Sequence, residues 1–160
     1  MRTITSILLI FCVLGTFAGC YKVGSGDAKR YKELGVANVT GTITFDGRPL
    51  PYAQITFEPG GTYGVTDRNG KYQMWVNSKR TGSLPGDKVV RIWTTKRGLG
   101  FDALMKDNAY PAEETIPIEY NRESKLTITV NPNKSQVHNF DLKSGGKVDP
   151  KGATALGDDG

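Results

Sequence analysis

An all-β fold, a β-sandwich or small barrel of about seven strands, follows from three observations on this sequence. Short runs alternate apolar and polar residues, turn-forming residues separate the runs, and no helical period is sustained over a long stretch. Val39, Gly41, Ile43 and Phe45 share one parity while Thr40, Thr42 and Thr44 share the other, which is the period of a strand with one buried face. The next run repeats it, with Ala53, Ile55 and Phe57 against Gln54, Thr56 and Glu58. Asp46-Gly47-Arg48-Pro49 lies between the two as a turn, so they are expected to be antiparallel neighbours. Pro59-Gly60-Gly61 closes the second run and a short strand at 62–66 follows. Asp67-Arg68-Asn69-Gly70 then turns the chain into Tyr72-Gln73-Met74-Trp75-Val76. Further strands are expected at 89–95, 126–130 and 137–142.

Two stretches depart from this alternation. Residues 96–119 hold one potential helical turn, Phe101-Asp102-Ala103-Leu104-Met105-Lys106, then two prolines and Glu113-Glu114. A loop of that length inside a compact domain is commonly functional or poorly ordered. Residues 144–160 carry glycines and charges with almost no large apolar side chain, the composition of a disordered tail.

The start of the chain has a different logic. Met1-Arg2 is followed by an uncharged apolar run from Ile4 to Phe17, and small residues lead into Cys20. The run falls short of the roughly 20 residues of a spanning helix, so it reads as a cleaved export signal. The expected organisation is a signal at 1–19, a flexible tether at 20–35, one β domain at 36–143 and the tail at 144–160. Cys12 lies inside the signal and Cys20 at its end, so the mature chain has no disulfide and depends on a single apolar core. The net charge of +5 becomes +4 without Arg2. Lys22, Lys29, Arg30 and Lys32 cluster after Cys20, in reach of anionic headgroups or acidic envelope polymers, or simply solvated on the tether. The other basic residues are scattered, which with export argues against nucleic acid as a partner.

Phe17-Ala18-Gly19-Cys20 resembles the lipobox of bacterial lipoproteins, with Phe17 standing where Leu, Val or Ile is usual. The resemblance implies a diacylglyceryl group on the Cys20 sulfur and cleavage before it. Tyr21 follows where an aspartate would imply inner-membrane retention, so the implied destination is the outer membrane where the cell has one. Val39-Thr40-Gly41-Thr42-Ile43 with Asp46-Gly47-Arg48-Pro49-Leu50, Ala53-Gln54-Ile55-Thr56-Phe57-Glu58-Pro59 and Thr66-Asp67-Arg68-Asn69-Gly70-Lys71-Tyr72 resemble the transthyretin-like, carboxypeptidase regulatory-like domain of bacterial lipoproteins. Ile116-Pro117-Ile118-Glu119-Tyr120-Asn121 and Ser124-Lys125-Leu126-Thr127 resemble the closing segment of its short members. The likeness spans roughly 36–142 and implies a prealbumin-like sandwich that serves as an accessory or interaction module without catalysis of its own.

The residues themselves give few parts for chemistry. His138 is the only histidine, so a Ser-His-Asp or histidine-based metal site must use it. It shares parity with Phe140 and Leu142, which favours a packed or edge position. The hydroxyisourate hydrolases of the wider transthyretin-like group use several histidines and a C-terminal Tyr-Arg-Gly-Ser motif, and this chain has neither. Asp67 and Asn69 alternate oxygen ligands like the opening of a calcium loop, but the distal acidic ligand is missing, and turn chemistry accounts for both. Glu113 and Glu114 are adjacent and point apart in an extended chain, which gives no acid–base pair. The candidate ligand surface is aromatic: Trp75 and Trp93 fall on the outer parity of their strands, a platform if those strands are neighbours, unless residues 96–119 fold over them. The expectation is a non-enzymatic, lipid-anchored, extracytoplasmic envelope module that needs no cofactor. Its partners are the membrane through its anchor and an envelope protein. The second reading is a polysaccharide- or peptide-binding module using the exposed aromatics, and a hydrolase using His138 is a distant third.

Overall fold

The computed structural model describes residues 25–94 and 113–151, which are nearly all strand apart from one short α-helix and a 3-10 turn. The alternating first run is strand β1 (Val39–Phe45), with Val39, Gly41 and Ile43 buried and the threonines between them half exposed. It is hydrogen-bonded along both edges. One edge pairs antiparallel with β2 (Arg48–Pro49) and β5 (Lys71–Gln73), in the register Thr44↔Pro49 and Gly41↔Tyr72. The other pairs parallel with β10 (Gln136–Val137) and β11 (Phe140–Leu142), in the register Thr40↔Val137 and Ile43↔Phe140.

The second sheet is antiparallel throughout. Its order is β7 (Arg80–Thr81), β6 (Trp75–Asn77), β4 (Thr62–Val65), β3 (Gln54–Glu58), β8 (Gly86–Trp93) and β9 (Thr127–Val130). The two sheets enclose one core in which Val39, Ile43, Ile55, Phe57, Met74, Val90 and Ile92 are wholly buried. The expected β-sandwich is thus present.

The expected pairing of the first two runs is not. β1 and β3 lie in different sheets. Asp46 and Gly47 both have positive φ (51° and 76°), the geometry of a two-residue hairpin that matches strand twist, but the hairpin partner is the short β2. One more ladder bond follows Pro49, from the Leu50 amide to the Ile43 carbonyl at 2.9 Å, and the pairing ends there because the Ile43 amide donates to Gly70 at 2.8 Å. Residues 50–53 then carry the chain across to the second sheet, held by Thr66, whose hydroxyl accepts from the Ala53 amide at 2.8 Å and donates to the Leu50 carbonyl at 2.7 Å.

A second departure concerns the outer face of the second sheet. Gln54 and Thr56 belong to the polar parity of β3, yet both are buried. The segment from Glu113 to Leu126 runs along the end of β8: the Val90 amide donates to the Leu126 carbonyl at 2.8 Å and the Ser124 hydroxyl to the Val90 carbonyl at 2.5 Å. From the outer face, the Arg91 guanidinium reaches the Asn121 and Arg122 carbonyls at 2.5 and 2.7 Å and Glu58 at 2.7 Å. Farther along, the Glu114 carboxylate accepts from the Thr94 amide and hydroxyl and from the Thr115 and Ile116 amides.

Both ends of the described chain make defined contacts. Within the expected tether, Ser25–Glu33 forms helix α1, which stops at Gly35 with φ 71°, the left-handed residue that closes many helices. Where a disordered tail was expected from Ser144, residues up to Lys151 return along the 113–122 segment. The Ile118 amide donates to Lys147 and the Glu114 amide to Pro150, and Arg122 pairs with Asp149 at 2.9 Å. These contacts are made by backbone groups and one ion pair rather than by apolar side chains. Residues 152–160 lie outside the described part.

Gly41 marks the tightest point of the sandwich. A β-carbon there would sit 1.8 Å from the His138 carbonyl oxygen and 2.7 Å from the Tyr72 ring, so either β1 or the C-terminal strand must shift. Gly41→Ala is expected to destabilise the domain by at least about 1–3 kcal/mol, the usual cost of overpacking, read as a lowered urea midpoint at unchanged slope. An unchanged midpoint would contradict this packing.

Candidate functional site

One concave site combines an aromatic ring with unpaired charge. It is a cleft of about 570 Å³ at the end of the sandwich where β6, β7, the approach to β1 and the turn before β10 converge. Local chemistry builds each wall. Trp75 opens β6 opposite Tyr63 of β4, and a register irregularity between Trp75 and Asn77 bends this edge hairpin. The turn is closed by the Asn77 side chain, which accepts from the Lys79 amide at 2.9 Å. It delivers Lys79 and then Arg80 to the rim. Across the cleft, Asn133 adopts φ 56°, a conformation asparagine tolerates, and its amide donates to the Gly35 carbonyl at 3.0 Å. That turn places Lys134 and Ser135 opposite the hairpin.

Helix α1 braces the site. The Asn77 amide group donates to the Tyr31 hydroxyl at 2.6 Å, and the Arg80 guanidinium carbon stands 5.4 Å from the centroid of the Tyr31 ring, within cation–π range. The cleft carries three cations, Lys79, Arg80 and Lys134, and none of its lining residues is acidic. Trp75 is half-buried and lines the cleft.

The two-indole platform expected from the sequence does not form. Trp93 is completely buried, and β4 and β3 lie between its strand and that of Trp75. The reason is the added layer over the outer face: Trp93 pairs in register with Gln54, the part of the sheet where both faces are covered. Trp75 alone keeps the role of candidate ligand surface. Cys20, the lipidation candidate, lies outside the described residues.

Asp67 and Asn69 sit in a turn whose geometry occupies the aspartate. One Asp67 carboxylate oxygen accepts from the Asn69 and Lys71 amides at 2.8 and 2.9 Å, the side-chain-to-backbone pattern that favours aspartate in turns. Among the described residues, no three histidine, cysteine, aspartate or glutamate side chains gather at metal-binding distance. Glu114 is a structural acceptor for the amides named above. Lys88, buried on β8, donates to the Pro59 carbonyl at 2.8 Å.

His138 lies between β10 and β11, where its amide donates to Thr40 and its carbonyl accepts the Tyr72 hydroxyl at 2.6 Å. Its Nε2 is buried and meets no hydrogen-bond partner among the described residues. The cleft beside Trp75 does not include it. Tyr72, stacked on Phe140 with centroids 6.4 Å apart, has its phenol pushed up by burial.

Sequence reading missed the cationic members of the cleft. Lys79-Arg80 follows Trp75 closely and offered a local signal, but Lys134 joins them only because β10 pairs with β1. No protein-family model and no curated protein matches the chain. Among solved structures, the chain is similar to a DUF3823 family protein from Parabacteroides merdae, at 11% identity over 66% of this chain and 45% of that one, with a TM-score of 0.34. The chain thus spans less than half the length of that protein, and a likeness at this score carries no argument about function.

Burial holds the His138 imidazole below its ordinary value of 6.5, so the folded state favours the neutral ring. Just below pH 6.5 the unfolded chain binds more protons than the folded one, and stability rises with pH. The contribution is complete above 6.5 and is lost as pH falls through the lowered folded value. Urea midpoints should therefore drop between about pH 7 and pH 5, and His138→Gln should flatten that drop. An acid slope unchanged in the variant would assign the effect to other groups.

Proposed function

We propose that this chain is a lipid-anchored, extracytoplasmic binding module of the transthyretin-like class, without catalysis of its own, whose ligand surface is the Trp75 cleft. The observation that carries this reading is the cleft: a half-buried indole beside Lys79, Arg80 and Lys134, which no carboxylate among the described residues pairs. An aromatic face with unspent hydrogen-bond donors suits recognition, since such sites fix a ligand with a few placed polar groups around an apolar surface. The Tyr72 hydroxyl beside His138 is engaged by the His138 backbone carbonyl, and the His138 ring does not line the Trp75 cleft, which favours binding over hydrolysis. The anchor is supported by the Phe17-Ala18-Gly19-Cys20 pattern behind an apolar leader.

Two measurements test this reading. Protein isolated from its native membranes should have the mass of a chain beginning at Cys20 plus acyl groups, and Cys20→Ala should lose both the added mass and the partition into detergent. The Cys20→Ala chain, freed of the anchor, should still co-sediment with insoluble cell-envelope material. Lys79→Glu with Lys134→Glu should leave it in the supernatant without altering its thermal midpoint. Soluble protein of unmodified mass overturns the anchor, and sedimentation that ignores the double variant overturns the cleft as the binding surface.

A further inference from the structure

Resting on that reading, we infer that the Trp75 cleft takes an acidic glycan, with a sugar ring seated on the Trp75 indole and ring carboxylates held between Lys79, Arg80 and Lys134. Charge is the first argument. The three cations come from two chain segments on opposite sides of the cleft, and the described residues place no acid among its walls. A ligand that neutralises all three must carry several anionic groups spaced along its length. A volume of about 570 Å³ lies in the range of small-ligand sites, roughly 300–1,000 Å³, and is far larger than a single inorganic anion requires.

Arg80 supplies the second argument. Its guanidinium lies over the Tyr31 ring at 5.4 Å, and among the described residues no carboxylate or carbonyl accepts from it. A planar fork stacked on an aromatic ring and left with free N–H donors is prepared for two-pronged contact with a carboxylate. Tyr31 is itself fixed by Asn77 at 2.6 Å, so the fork is presented by a braced ring rather than by a loose side chain.

The third argument separates a glycan from an acidic peptide. An added peptide strand needs a sheet edge long enough for a ladder and pockets for alternate side chains. β7, the edge strand at this cleft, is only two residues long, and the apolar lining is confined to Trp75 and Val36. The remaining walls are lined by Asn38, Thr81, Asn133 and Ser135, residue types that partner sugar hydroxyls. One flat ring with hydroxyl and carboxylate partners around it suits a sugar acid better than a peptide.

The test uses the full chain in detergent and follows tryptophan emission, since Trp93 is buried and Trp75 borders the cleft. Three probes are titrated: hexagalacturonate, its fully methyl-esterified form with the same rings and no charge, and hexaglutamate with charge and no rings. Hexagalacturonate should shift the emission, and the other two should bind at least tenfold more weakly. Its affinity should fall several-fold as salt rises from about 20 to 200 mM, as screening of surface charge requires. Lys79→Ala with Lys134→Ala, both at the rim, should weaken hexagalacturonate at least tenfold at unchanged thermal midpoint.

Equal binding of the ester overturns the acidic character of the ligand, and equal or tighter binding of hexaglutamate overturns the glycan in favour of a peptide. Failure of all three probes overturns the inference. If cleft-dependent sedimentation with envelope material persists in that case, the binding-module reading stands while the ligand class is wrong.

Discussion

The parallel pairing of β1 with the C-terminal strand is the constraint on which the rest of the structure depends. β1 is bonded along both edges, to β5 and β2 on one side and to β10 and β11 on the other. Its partners lie as far as 97 residues away, as in the bond from the Thr44 hydroxyl to the Asp141 carboxylate. Such pairing closes a long loop before it is rewarded. It is also the pairing that needs Gly41 to lack a side chain, because the His138 carbonyl occupies the space a β-carbon would take. Without it the first sheet loses an edge, the core loses the wall carrying Leu142, and Lys134 no longer faces Lys79 and Arg80.

A second organising element is the polar clamp on the other sheet. Glu58, Arg91 and the Asn121–Arg122 carbonyls form one cluster, and Glu114 with Thr94 and the Thr115 and Ile116 amides forms another. Burying charge is costly unless partners satisfy it. Here the Glu114 carboxylate accepts from several donors, while the Arg91 guanidinium serves a carboxylate and two carbonyls. These contacts convert the outward parity of β3 and β8 into a second buried layer. One indole is thereby enclosed, and the other is left at the uncovered end of the sheet.

How far the sequence was legible follows from these two features. Strand positions were readable because alternation is local: Val39, Ile43, Ile55, Phe57, Val90 and Ile92 are all wholly buried, as their parity required. Pairing was less legible. Asp46-Gly47 signals a hairpin but not that the returning strand ends at Pro49 and that the chain then changes sheets. Gln54, Thr56 and Trp93 are buried against their parity, on a sheet where Arg91, Thr94 and Glu114 take up partners only once distant segments meet. The same is true of the cleft. Trp75 could be singled out from its parity, while the charge beside it is assembled by topology and by a helix that composition presents as a solvated tether.

That helix has a consequence for where the molecule would work. Four residues separate Cys20 from Ser25, and a stretch that short reaches at most about 18 Å when fully extended. The nine residues of α1 add roughly 14 Å along their axis, and the helix ends against the sandwich rather than swinging from it, because Tyr31 is locked to Asn77 and Arg80. An acyl group on Cys20 would therefore act as the foot of a short stalk and not as the end of a leash. With such an anchor the mouth beside Trp75 would be confined to a thin layer close to the bilayer, where it would meet a polymer lying along the membrane more readily than one held farther out.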